Sequence, residues 1–139
     1  MMRKDGENHL KERKTLFKSI SPKTSRDHWR EKFEAIADNV VNNMKLLKCG
    51  DLLTLYAREL SAECLKLVTG LTNMTSIEMD RVSQGMIDGC SNYTGNKEIE
   101  ENCNNCTNSI DTHINEMIGK IQMNTDFSLL STMLEGNLS

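Results

Sequence analysis

Three stretches of this chain place apolar residues at alternating intervals of three and four, the period at which an α-helix returns side chains to one face. Trp29, Phe33, Ile36, Val40 and Leu47 form the first, with Asn43 in the same row. Leu53, Tyr56, Leu60, Cys64, Leu67, Leu71 and Met74 form the second, and Ile99, Cys103, Cys106, Ile110, Ile114, Met117 and Ile121 the third. One proline and eight glycines in 139 residues leave little turn material for a sheet protein. The fold class that follows is all-α.

Only 37% of the residues are hydrophobic and 4% aromatic. Burying a large apolar side chain is worth roughly 1.5–3 kcal/mol, so the composition predicts helices that bury a narrow stripe, preferably against a partner. A membrane is excluded: the uncharged stretch from Leu67 to Ile77 is about half of the ~20 apolar residues that span a bilayer. The N-terminus is charged from Arg3 and has no apolar core, unlike a secretory signal. Five cysteines, an odd number, point to reduced thiols in a nuclear or cytosolic setting. Asn-X-Ser/Thr sequons at Asn73, Asn92, Asn105 and Asn137 keep a secreted helical-bundle ligand as an alternative.

Charge divides the chain. Residues 1–26 hold eight basic and three acidic side chains, and residues 27–139 hold nine basic and seventeen acidic ones. A basic, Ser/Thr-bearing opening before an acidic helical body reads as a flexible arm, here 1–24. Its basic residues are scattered among acids without interleaved aromatics, which argues against nucleic-acid binding. Ser21-Pro22-Lys23 has the core of a proline-directed phosphorylation site at Ser21; equally, Pro22 suits the first turn of a helix.

Thr24 and Asp27 have the spacing of a capping box at the start of the first periodic helix. Written as heptads, Phe33, Val40 and Leu47 share one seam position and Trp29, Ile36 and Asn43 the other, with Met44 beside Asn43. Cys49-Gly50 closes this helix and Asp51 restarts the next. Gly70 falls inside the second helix, the stripe stutters near Thr75–Glu78, and Gly85 and Gly89 weaken its end. A helical hairpin over 25–88 is expected, then a loop at 89–96, then a third helix and a short terminal one over 97–135. The terminal piece has Asp126 as its expected N-cap, with Phe127, Leu130 and Leu134 on one side. It is either a lid on the bundle or a peptide for a partner's groove.

Cys103-Asn104-Asn105-Cys106 has C-x-x-C spacing, which suits a metal or a redox pair. Zinc requires further ligands, for which Cys90 and His113 serve only if the 89–96 loop folds back. Both cysteines also lie on the apolar seam, where free cysteine behaves as a small hydrophobe. His9, His28 and His113 are dispersed, the glycines stand apart, and no catalytic constellation or cofactor site is legible. A small zinc- or redox-cysteine regulatory domain is the alternative from another class.

Two stretches carry a resemblance. His28-Trp29-Arg30-Glu31-Lys32-Phe33-Glu34-Ala35-Ile36-Ala37-Asp38, with Asn42-Asn43-Met44-Lys45-Leu46-Leu47-Lys48, is similar to the first helix of the cyclin-dependent kinase 2-interacting protein family. Gly70-Leu71-Thr72 and Ile77-Glu78-Met79-Asp80-Arg81-Val82-Ser83 are similar to its second. A fainter likeness joins Leu16-Phe17-Lys18 and His28 to Phe33 to replication-protein-A-interacting proteins. The first resemblance implies a non-catalytic adaptor associated with cell-cycle and replication-checkpoint kinases. It also implies a subunit of an assembly with AAA-type ATPases acting in replication-linked remodelling and ribosome maturation.

The reading is therefore an elongated helical hairpin or coiled coil with a third helix, acting as an adaptor without cofactor or metal. Its protein partners, in a hetero-oligomer or homodimer, would be met through Trp29, Phe33, Ile36, Val40, Leu47, Leu53, Tyr56, Leu60, Leu67 and Leu71.

Overall fold

The single proline sets the first large feature. Proline disfavours helical geometry in the residue before it, and Ser21 is extended, at φ −64° and ψ 151°. A long helix is thereby bent at Ser21. Its first arm, α1, is Gly6–Ile20. Its second, α2, runs through Pro22–Thr24, a π-helical turn Ser25–Trp29, and Arg30–Leu46. These features come from a computed structural model that describes residues 5–47, 49–123 and 126–136. Its described residues form helices and turns and no strand.

The bend is held by side chains that satisfy the backbone it interrupts. The last carbonyls of a helix lack intrahelical donors; here the Thr24 hydroxyl donates to Lys18 O at 2.6 Å and Trp29 Nε1 to Ser19 O at 2.8 Å. Ser21 Oγ accepts from the Thr24 amide at 3.1 Å. The N-cap is thus Ser21, three residues before the expected Thr24, and Pro22 occupies the first helical position. The stretch read as a flexible arm is correspondingly helical over Gly6–Ile20, with Ser19 fully buried.

Asp51 caps the next helix as expected, accepting from the amides of Leu53 and Thr54 at 3.2 and 3.0 Å. Helix α3 then passes through a π-helical turn, Leu53–Arg58, into Glu59–Thr69. Gly70 ends it in the left-handed conformation, φ 89°, its amide donating to Lys66 O. A Cβ there would also lie 2.7 Å from Ser128 Oγ, so only glycine suits the site. The single helix expected to run through Gly70 is therefore two, and 25–88 is no simple hairpin. Helix α4, Ser76–Cys90, starts afresh at Thr75, whose hydroxyl accepts from the Glu78 amide at 3.1 Å. The stutter near Thr75–Glu78 is this break.

Helix α5, Lys97–Met123, follows the loop and packs along α4. Helix α6, Leu129–Glu135, lies against α1 and α5, as a lid. Its N-cap is Ser128 rather than Asp126: Ser128 Oγ accepts from the Ser131 amide, while Asp126 Oδ1 accepts from the Ser128 amide. The core gathers Met74 and Met79 with Val82, Cys106, Met117 and Ile121. Methionine fills irregular gaps without branching, which lets a chain with few aromatics close an interior. Gly85 and Gly89 do not mark a weak end. A Cβ at Gly85 would collide with Cys106 Sγ, and one at Gly89 would come within 2.6 Å of Cys103 Cβ. At both positions the absence of a side chain lets α4 pack closely on the cysteines of α5.

Candidate protein-docking groove

The end of α2, the start of α3 and the start of α4 meet around a groove of about 430 Å³. Val40 and Met44 from α2, Leu55 from α3 and Ile77 from α4 supply its apolar lining. Arg58 and Asp80, 3.8 Å apart, bridge α3 and α4 beside it. Both are about half exposed, so the pair orients more than it stabilises. Met44 also borders a second, shallower hollow with Val41, Leu52 and Tyr56.

Local sequence explains why this corner opens outward. Leu46, Leu47, Leu52 and Leu53 flank the turn between α2, which ends at Leu46 with Leu47 as its C-cap rather than at the expected Cys49-Gly50, and Asp51, which starts the next helix. The hydroxyl and amide of Thr54, with the Leu53 amide, hold the Asp51 carboxyl below its ordinary pKa. That anchored cap fixes where α3 begins and leaves the leucines beside it facing water. Leu46 is 81% exposed and Ile77 80%, and Leu47, Leu52 and Leu53 are each more than half exposed.

The structure separates the residues proposed for interaction into three groups. Trp29, Val40 and Leu71 are buried within the chain, although Val40 forms part of the groove floor. Phe33, Ile36, Tyr56, Leu60 and Leu67 are half-buried. Only Leu47 and Leu53 among them are exposed. Leu47 lines the groove with Ile77, Leu52 borders the adjoining hollow, and Leu46 and Leu53 are their exposed neighbours in the chain, Leu46, Leu52 and Ile77 being residues that sequence reasoning missed. Their signal was present: Ile77 is out of phase with the Met79–Val82–Met86 row, and Leu46 and Leu52 stand beside the stripes. Asn43, expected in the seam, is exposed on the groove wall.

The C-x-x-C pair is packing material here. Cys106 is fully buried, and Arg81 Nη1 donates to its sulfur at 3.4 Å. Cys103 is half-buried against Gly89. Cys64, on α3, has its thiol pKa raised by burial, with Glu63 adding to the effect, the reverse of a reactive cysteine. Among the described residues, no three His, Cys, Asp or Glu side chains converge where they could hold a metal ion.

A polar clasp fastens α4 to α5. Glu78 accepts from Arg81 Nε at 2.7 Å and Nη2 at 2.6 Å, and from Ser109 Oγ at 2.7 Å. The bonds from Arg81, then that from Ser109, pull the Glu78 carboxyl to a pKa of about 2. Asn73 adds a second tie, donating to His113 O at 3.2 Å and Glu116 Oε2 at 2.9 Å. Its amide nitrogen is thereby engaged, and the Asn92 amide likewise donates to Asn96 O. The sequon at Asn137 lies outside the described residues. Ser21, the phosphorylation candidate, is half-buried, with its hydroxyl 2.9 Å from that of Thr24.

No helix among the described residues is long and apolar enough to cross a membrane. No protein-family model matches the chain.

Proposed function

We propose that this chain is a non-catalytic helical adaptor, a subunit that takes up an amphipathic helix of a protein partner in the groove between α2, α3 and α4. The observation that carries the reading is the concentration of exposed large apolar side chains at that one corner. Isolated surface leucines are ordinary, but a cluster beside a concave apolar surface is how a docking site is built. Covering the exposed half of each side chain is worth about 1 kcal/mol or more.

The resemblance to cyclin-dependent kinase 2-interacting proteins supports the same surface. Met44 and Leu47 lie in the first resembling stretch and Ile77 in the second. It supports a nuclear setting and partners in cell-cycle kinase, DNA replication or ribosome-maturation machinery.

Cross-linked affinity purification of the wild-type chain and a Leu47→Glu/Ile77→Glu variant tests the reading. The variant should lose its protein partner while keeping its helical content, because both sites face water. Equal recovery from the two would overturn the groove as the docking site.

A further inference from the structure

Helix α1 carries a second apolar row, remote in sequence from the groove. Leu10, Phe17 and Ile20 are 53%, 52% and 55% exposed. Their separations of seven and three place them on one side of the helix. The protein-facing side is a different one: Ser19 is buried there, and Thr15 packs against Gly136 beyond α6. Next to the apolar row run Lys11, Lys14 and Lys18, also at helical spacing and all exposed. Arg13 sits between Leu10 and Phe17 and is exposed too. None of these four cationic side chains has a hydrogen bond or ion pair among the described residues.

We propose that this side of α1 docks an acidic amphipathic helix of another protein. A partner helix with apolar residues at three- and four-residue spacing would cover Leu10, Phe17 and Ile20. Carboxylates along its flank would meet the lysine row, and one would meet Arg13. A second copy of α1 is the wrong occupant, since pairing the two rows sets arginine and lysines against their own kind. An anionic leaflet fits less well for two reasons. Interfacial helices sink a broad apolar face into the lipid boundary, whereas this row is one residue wide and interrupted by Arg13. A leaflet also extends beyond α1 to the rest of the chain, and residues 27–139 hold seventeen acidic side chains against nine basic ones. A single helix meets only this side of α1, where Glu7 is the one acidic side chain in the lysine row.

The test is a fluorescence anisotropy titration of the full chain with a labelled synthetic helix of about three heptads, leucine at the core positions and glutamate at the flanks. A helix with glutamine replacing the flanking glutamates is the control. The glutamate helix should bind at least about tenfold more tightly than the control, and about tenfold more weakly when salt rises from roughly 50 to 500 mM. Phe17→Ser, and separately Lys14→Glu with Lys18→Glu, should each weaken binding about tenfold at unchanged circular dichroism. The Leu47→Glu/Ile77→Glu variant should bind as wild type, which separates this surface from the groove. Equal binding of the two helices, or indifference to Phe17→Ser, would overturn the proposal. So would capture by phosphatidylserine vesicles without peptide binding, or a dimer in sedimentation that Phe17→Ser abolishes.

Discussion

The indole N–H of Trp29 donates to the carbonyl of Ser19 at 2.8 Å, across the bend that Pro22 imposes. Trp29 is 2% exposed, with Phe33 stacked 6.1 Å from it and Lys32 lying over its ring at 5.3 Å. The residue that the first stripe offers most prominently as an interface anchor therefore joins the two arms of one helix.

Trp29→Phe should destabilise the fold by about 1–2 kcal/mol, because most of the ring packing survives while the Ser19 carbonyl is left buried without its donor. Trp29→Ala should cost about 3–5 kcal/mol. Denaturant unfolding measures both; a neutral Trp29→Phe would remove the hydrogen bond from the account of the bend.

Glycine at an exposed helix interior costs up to about 1 kcal/mol relative to alanine, and Gly119 has nothing within 4 Å of a Cβ. Gly119→Ala should therefore stabilise the protein by roughly that amount. Gly85→Ala and Gly89→Ala should do the opposite, by about 1–3 kcal/mol, since Cys106 and Cys103 occupy the space. Combining Gly89→Ala with Cys103→Ala should recover part of the loss, and thermal unfolding of the double-mutant cycle would detect the coupling.

Glu78 gives stability an acid limb. Its folded pKa of about 2 lies below the ordinary value of 4.5, lowered by hydrogen bonds from Arg81 and then Ser109. A depressed carboxyl pKa stabilises the fold above the unfolded-state value, and the stabilisation is lost as pH falls through the folded one. The midpoint of thermal unfolding should thus drop between about pH 4.5 and pH 2. Glu78→Gln should lower it at neutral pH and flatten this limb; an unchanged limb would show that other carboxylates dominate it.

Val40 and Leu47 share one heptad position yet should respond differently to charge. Val40 is 4% exposed, so Val40→Asp buries an unpaired carboxylate and should unfold the protein or cost more than about 3 kcal/mol. Leu47→Glu should change stability by less than about 0.5 kcal/mol while removing partner binding. Chemical denaturation beside pull-down separates the two effects; a well-folded Val40→Asp protein would contradict the burial.

Local chemistry made much of the secondary structure legible. The apolar periods mark the helical stretches, Pro22 sits at a helix start, Asp51 caps α3, and Ser91–Asn96 is the connection expected at 89–96. Gly70 was misplaced because a glycine inside an unbroken stripe has two uses. The stripe continues in sequence through Leu71 and Met74, while the φ of 89° that ends the helix belongs to the tertiary turn. The groove was half legible, since its leucines stand in plain sequence but their exposure depends on which neighbours α3 and α4 bring.

By itself the sequence determined the helical class, the starts of α3 and α5 and the segregation of basic from acidic residues, because these follow from spacing and from bonds spanning a few positions. Only the tertiary structure decided which apolar rows close on each other and which remain outside. Every row has the same period, and choosing among them requires contacts between residues distant in sequence, such as Gly85 with Cys106 and Gly70 with Ser128.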